Sequence, residues 1–255
     1  MATLLVTNDD GAKSLLWSGL CDALEAAGHE VYGVAPAENQ SWIGCAQTTG
    51  RELAATPLGN RRWSVDGTPA DCVGIAPYLA AKPFDAVISG INLGVNTRLP
   101  MVISSGTVGA ATVSSMMGYK AIAFSWACPR ELAISARKAD GILPETHMTA
   151  QIMFNRCVER TRSLLKENYL YGRVYNINFP AKVSVETLWK KLPMSITTLL
   201  QTFERLPNGR FKHSPNFERP LSSGETEFGA IGSGNITESI IDWPKAGIMG
   251  EQPVP

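Results

Sequence analysis

The sequence predicts an α/β protein: a doubly wound, Rossmann-like, mainly parallel sheet followed by a C-terminal region of hairpins and an extended arm. Three observations predict it. Short apolar runs rich in Val, Leu and Ala alternate with segments of helical periodicity, each run opens into a loop of small and polar residues, and the alternation fades beyond about Lys182.

Ala2 to Thr7 is an apolar run ending in Asn8–Asp9–Asp10–Gly11, the form of a buried parallel strand entering a loop. Leu16, Leu20 and Leu24 then repeat at helical spacing with Gly28 as the stop, and Glu30 to Ala35 forms the next strand, halted by Pro36. Together they make a βαβ unit, the seed of a parallel sheet. Arg51 to Val65 reads as a small hairpin excursion before the loop Asp66–Gly67–Thr68–Pro69. Phe84 to Ser89 is a third strand before a Gly/Asn-rich loop, Val108 to Met117 a small-residue helix stopped at Gly118, and Ala121 to Trp126 a fourth strand. Met148 to Asn168 predicts an amphipathic helix with Ile152, Met153, Cys157, Val158, Leu164 and Leu165 on its apolar face, and Val174 to Phe179 a fifth strand closed by Pro180.

The organisation expected is an α/β core over residues 1–180 and hairpins with an extended arm, reaching toward another subunit, over 181–255. Beyond Lys182 the chain carries Pro193, Pro207, Pro215, Pro220 and a Gly/Ser-rich run from Ser222 to Asn235. No strand is legible past Gly224.

Lys plus Arg and Asp plus Glu both number 23, so no global field draws the protein to long nucleic acid or an anionic membrane, and an anionic ligand must be held locally. No stretch approaches the roughly 20 apolar residues of a membrane span, and Leu4–Leu5–Val6 is too short for a leader. The expected compartment is the cytoplasm. Five cysteines without a C-x-x-C pair fit buried thiols in a reducing environment.

Ligands of an open parallel sheet bind outside the carboxyl ends of its strands, and the unusual loops of this chain lie there. Adjacent Asp9 and Asp10 repel each other unless a cation neutralises them, and Ser41 and Asn92 supply neutral hard oxygens to complete its shell. All-oxygen ligation favours Mg²⁺ or Mn²⁺ over Zn²⁺. A turn with a helix cap is the bland alternative for Asn8 to Gly11. Ser105–Gly106–Thr107, opening a helix, offers backbone N–H groups, hydroxyls and the positive end of the helix dipole to a phosphate. There is no Walker A sequence and no G-x-G-x-x-G. The aspartates are adjacent, whereas a haloacid-dehalogenase phosphatase separates its pair by one residue. His29, His147 and His213 are read as structural or exposed.

Four loops, Asn8 to Gly11, Ala35 to Ser41, Ser89 to Asn96 and Ser105 to Ala111, resemble in kind and order the signature loops of the SurE survival-protein family of 5′/3′-nucleotidases. Val65 to Cys72 and Asn176 to Pro180 also match, so the resemblance covers roughly residues 3 to 180. It implies Asp9, Asp10, Ser41 and Asn92 as metal ligands, and Asn96, Ser105, Gly106 and Thr107 as the phosphate-binding set. The implied activity is metal-dependent, acid phosphatase-like hydrolysis of nucleoside 5′- and 3′-monophosphates or other small phosphate esters by in-line attack of water. Asp9 or Asp10 orients or deprotonates that water, and the sequence leaves open which. A homodimer or homotetramer is implied as well. The chain departs from the family in carrying Trp42 where Gly is usual, Ser14–Leu15–Leu16 in place of Ala-Pro-Gly, and no paired Asp between Thr97 and Ser104. Trp42 and the atypical C-terminus, where the family's last strand and its Thr-Pro-Leu ending are missing past Gly224, keep a second reading in play, a catalytically weakened nucleotide-binding or regulatory protein on the same fold.

Overall fold

The computed structural model describes residues 1–129, 131–133, 135, 147–218 and 225–247. Part of the Gly/Ser-rich run, residues 222–224, and the chain beyond 247 lie outside them. A nine-stranded sheet has the order β3-β4-β2-β1-β5-β6-β7-β11-β8, with β1 Thr3–Thr7, β2 Glu30–Pro36, β3 Ala55–Gly59, β4 Arg62–Val65, β5 Ala86–Leu93, β6 Lys120–Trp126, β7 Arg173–Phe179, β8 Trp189–Lys191 and β11 Ile236–Asp242. The six strands from β4 to β7 run parallel, and the edges reverse: β3 is antiparallel to β4, and β11 to β7. The predicted doubly wound sheet is therefore present.

Period-two alternation in β1 explains the two layers. Leu4 and Val6 face one core with Trp17, Leu20 and Leu24 of α1 (Leu15–Ala26) and Met153 and Cys157 of α5 (His147–Lys166); Leu5 faces the other, with Cys72 and Val73 of α2 (Pro69–Leu79) and Ala110 of α4 (Gly106–Met116). The chain leaves β1 in one direction to build β2 and returns on the other side to build β5. That reversal is the topological switch point, where a crevice opens beyond the strand ends.

Two boundaries differ from the sequence expectation. β5 extends to Leu93 rather than stopping at Ser89, because a bulge between Ser89 and Asn92 lets the small and polar residues stay paired to β6, placing Asn92 opposite Ser125. α4 begins at Gly106, two residues before the expected Val108. The Arg51–Val65 excursion is the β3–β4 hairpin, docked on the sheet edge through β4 and β2. On α5 the buried face includes Phe154 and Arg160, while Ile152 and Leu165 are only partly buried. Among the described cysteines Cys21, Cys72 and Cys157 are buried, but Cys45 is exposed, against the expectation of buried thiols.

The C-terminal region divides. β8 and β11 join the core sheet, whereas β9 (Leu199–Arg205) and β10 (Phe211–Phe217) form a separate antiparallel hairpin. A buried ion pair fixes β11: Arg160 donates through Nε and Nη2 to the two oxygens of Glu238, 3.0 Å each, and Trp189 Nε1 donates to Glu238 Oε2 at 2.9 Å. Glu238 is only 1% exposed, and its loss leaves Arg160 with Glu167 alone, whose Oε1 accepts from Nη1 at 2.8 Å, and takes the acceptor from Trp189. Glu238→Ala is expected to lower unfolding stability by about 3 kcal/mol in urea denaturation. A change under about 1 kcal/mol would show that Glu167 and water suffice to hold Arg160.

Candidate active site

The first loop is built by its own side chains. Asn8 Oδ1 accepts the Gly11 N–H at 3.2 Å and Asn8 Nδ2 donates to the Gly11 carbonyl at 3.1 Å, so the turn is closed from within. It sets Asp9 and Asp10 side by side at the switch point with different surroundings. Asp9 is 4% exposed; its Oδ1 accepts the Thr107 hydroxyl at 2.5 Å and its Oδ2 the Thr107 N–H at 3.1 Å. Burial, and then the charge of Asp10, push the Asp9 carboxyl up to about 7 against the pull of the Thr107 hydrogen bonds. Asp10 instead accepts the Leu93 N–H at 2.7 Å and the Asn39 side-chain amide at 3.3 Å, bracing the ends of β1 and β5.

The second loop lies flat on α4. Asn39 Oδ1 accepts the Ser41 N–H at 3.1 Å, and Gln40 N–H donates to the Asp9 carbonyl at 2.8 Å. Two glycines permit the approach. A Cβ on Gly106 would lie 2.9 Å from Asp9 Cβ and from Ile43 Cγ2, and one on Gly109 would lie 2.2 Å from the Gly44 carbonyl oxygen. Further along, Asp71 accepts the N–H and the hydroxyl of Thr48 and the N–H of Thr68, and the Thr68 hydroxyl donates to the Ala46 carbonyl at 2.6 Å. The Val65–Cys72 motif thereby anchors the loop that carries Ser41. Burial alone would raise the Asp71 carboxyl, but these donors hold it below the usual carboxylate range.

The third loop is held from beneath by buried amides. Asn178 accepts the Asn96 N–H at 2.8 Å, Asn176 and Asn178 donate to the Asn96 carbonyl at 2.7 and 3.2 Å, and Asn96 Nδ2 donates to Ser125 Oγ at 2.8 Å. Asn92 Nδ2 donates to the Gly94 carbonyl at 3.0 Å. Ser105, the N-cap of α4, accepts the Val108 N–H at 3.1 Å.

These loops enclose a cleft of about 380 Å³ lined by Asp9, Ser41, Asn92, Asn96 and Ser105, with Trp42, Leu93, Val95 and Met101 as its apolar wall. Five of the eight residues expected from the sequence thus meet in one cleft. Asp10, Gly106 and Thr107 stand behind it: Asp10 braces the strand ends, Gly106 makes room for Asp9, and Thr107, expected at the phosphate, is fully buried with hydroxyl and N–H both on Asp9. Sequence reasoning gave no role to Asn39, Thr48, Asp71, Asn176 or Asn178. For Asn39, Asp71, Asn176 and Asn178 the signal was their place inside the quoted motifs, while Thr48 lies outside them and gave none; all five hydrogen-bond the loops that carry the cleft-lining side chains.

Among the described residues no Lys, Arg or His lines the cleft, and no cluster of three or more His, Cys, Asp or Glu stands ready for a metal. Any cation held here rests on carboxylate, hydroxyl and amide oxygens. Among the described residues, too, no helix is long and apolar enough to cross a membrane.

An acidic, oxygen-lined cleft at the switch point of a doubly wound sheet defines the chain as an α/β protein with a cleft where such sheets bind their ligands. The chain belongs to the survival protein SurE family, whose sequence profile matches residues 4–203. It is 37% identical over 192 residues to a protein named 5′-nucleotidase SurE from Nitratidesulfovibrio vulgaris (strain DP4), spanning 72% of this chain and 68% of that one. It is 47% identical over 124 residues to a protein of the same name from Geotalea uraniireducens, spanning 48% and 49%. The crystal structure of the SurE protein from Aquifex aeolicus superposes with a TM-score of 0.75 over 98% of both chains at 24% identity, which supports the fold.

The raised Asp9 carboxyl has a signed consequence. Its proton is bound more tightly folded than unfolded, so its contribution to stability is fully present below about pH 3.8 and is lost as pH rises toward about 7. In chelator, the melting temperature is expected to fall between pH 5 and 7.5, and to fall less in Asp9→Asn. Parallel pH profiles for the two proteins would show that Asp9 is not held protonated.

Proposed function

We propose that the protein is a divalent-metal-dependent phosphomonoesterase that hydrolyses nucleoside 5′- and 3′-monophosphates. The charge of the cleft carries this reading. A phosphate dianion entering beside Asp9 and Asp10, with no cationic side chain on the lining, finds no protein counter-charge unless a cation enters with it. The relatives' name, 5′-nucleotidase, supports the substrate class.

The donor set fits such a cation. Asp9 and Asp10 supply the charge, Ser41 its hydroxyl, and Asn92, whose nitrogen is spent on the Gly94 carbonyl, its side-chain oxygen. Hard oxygens alone select Mg²⁺ or Mn²⁺. Bound there, the cation neutralises phosphoryl charge and acidifies a water. The remaining tasks fall to side chains. Ser105 Oγ accepts the Val108 N–H, which leaves its hydroxyl proton to donate to a phosphoryl oxygen. Asn96 uses one amide N–H on Ser125 and keeps the other for the phosphate. Thr107 holds Asp9 in register, and Asp9, the aspartate on the cleft lining, takes the proton of the attacking water. As the new P–O bond forms, the in-line ester bond breaks and the nucleoside oxygen leaves, protonated from solvent.

Exposed Leu200, Phe203 and Phe211 on the β9–β10 hairpin support association into dimers or tetramers. A binding protein with weakened turnover is the second reading, favoured by the strained Trp42 beside Ser41. Assays of nucleoside monophosphate hydrolysis decide. Activity is expected to vanish in EDTA and return with Mn²⁺ or Mg²⁺, and Asp9→Asn to lower kcat by about three orders of magnitude. Full activity in excess chelator would overturn the metal-dependent reading; nucleotide binding without turnover in any divalent metal would establish the second one.

A further inference from the structure

The apolar wall of the cleft has no part in the chemistry above, and its largest member sits where a large residue is costly. Trp42 has φ +63°, the left-handed region that bulky residues rarely enter. It is half-buried and lines the cleft with Met101. Such strain persists only where the surroundings impose it. Here the imposing partner comes from the hairpin: the rings of Trp42 and His213 meet edge-to-face with centroids 4.3 Å apart, and His213 meets Phe203 at 5.5 Å in the same manner.

The hairpin is also fixed at its root. The Arg98 guanidinium lies 4.2 Å over the ring of Phe217 of β10 and 4.4 Å over Phe228 of α6 (Glu227–Gly232). The Arg98 N–H donates to buried Glu227 at 2.8 Å, and Arg98, itself at φ +67°, caps α3 (Leu99–Ser104), which carries Met101 into the cleft. β10 thus touches the rim of its own chain's cleft at two points. Phosphate alone fills little of 380 Å³, and a flat aromatic group is what an indole beside a thioether accommodates.

We infer that Trp42 is the platform on which the nucleobase of a nucleoside monophosphate stacks, with His213 and Phe203 as positioning residues that hold the indole, so that the β9–β10 hairpin sets base selectivity. This rests on the nucleotidase reading for its ligand. The test is therefore made on binding as well as turnover, comparing adenosine 5′-monophosphate with ribose 5-phosphate, which lacks the base. The wild-type chain is expected to prefer the nucleotide by about 10-fold or more in calorimetric Kd and in kcat/KM. Trp42→Ala is expected to erase most of that preference and Trp42→Phe to keep most of it. His213→Ala, on an exposed side chain whose loss does not threaten the fold, is expected to reduce the preference about 3-fold, and His213→Phe to restore it. An unaltered preference in Trp42→Ala, or in His213→Ala should Trp42→Ala fail to fold, overturns the inference. So does an equal loss for both ligands, which would mean that Trp42 only positions Ser41. If no phosphate ester is hydrolysed in any divalent metal, the nucleotidase reading fails, yet the binding preference and its loss still decide this one.

Discussion

The site depends on one carboxylate that is buried without a cationic partner. Asp9 follows a strand whose every residue is buried, beside a second aspartate, and Thr107 donates to it twice, through its hydroxyl and its N–H. Those bonds reduce the cost of the charge without removing it, which is why the carboxyl remains raised. A structure that keeps such a group forgoes stability for a charge vacancy of defined geometry. The arrangement around it follows from that choice: Gly106 is bare because Asp9 occupies the space of a side chain, and α4 starts at Gly106, directly after its Ser105 cap, which brings the Thr107 N–H onto Asp9.

The other cleft-lining groups sit on loops, and loops need independent restraint to hold sub-ångström geometry. Buried Asp71 holds the segment after Ser41 through Thr48 and Thr68, exposed Asn39 ties Ser41 to Asp10, and Asn176 and Asn178, buried on β7, grip both backbone groups of Asn96. Because Asp71 lies on α2 and Asn176 and Asn178 on β7, the cleft inherits the rigidity of the sheet.

How much of this was legible in the sequence follows from which elements carry hydrophobic period. β1, β2, β6 and β7 are short apolar runs, and α1 and α5 carry helical spacing, so the core was readable. The site was readable because its chemistry is concentrated in loop motifs at strand ends. Division of labour within it was not. Nothing in Ser105–Gly106–Thr107 says that Thr107 turns inward to Asp9 while Ser105 faces the cleft, since both are hydroxyl residues at a helix start and only the packing of α4 on β5 and β6 separates them.

β11 was illegible for a different reason, and it bears on how the C-terminal region should be understood. Thr237, Glu238 and Ser239 are all buried, so a strand interior to the sheet reads as a polar segment with no period. Its burial is possible because its partners lie far away in sequence: Arg160 and Trp189 satisfy Glu238 across a layer no local pattern can reveal. The hairpin between β8 and β11 shows the converse, with apolar residues left exposed on both strands and polar His213 turned onto Trp42. A core strand held by charge, next to an exposed hairpin rich in aromatics, inverts the usual distribution. That inversion makes sense if the strand's task is to close the sheet and the hairpin's is to meet something outside it. The strain at Trp42 and Arg98, both on segments the hairpin touches, marks where those two tasks join the cleft.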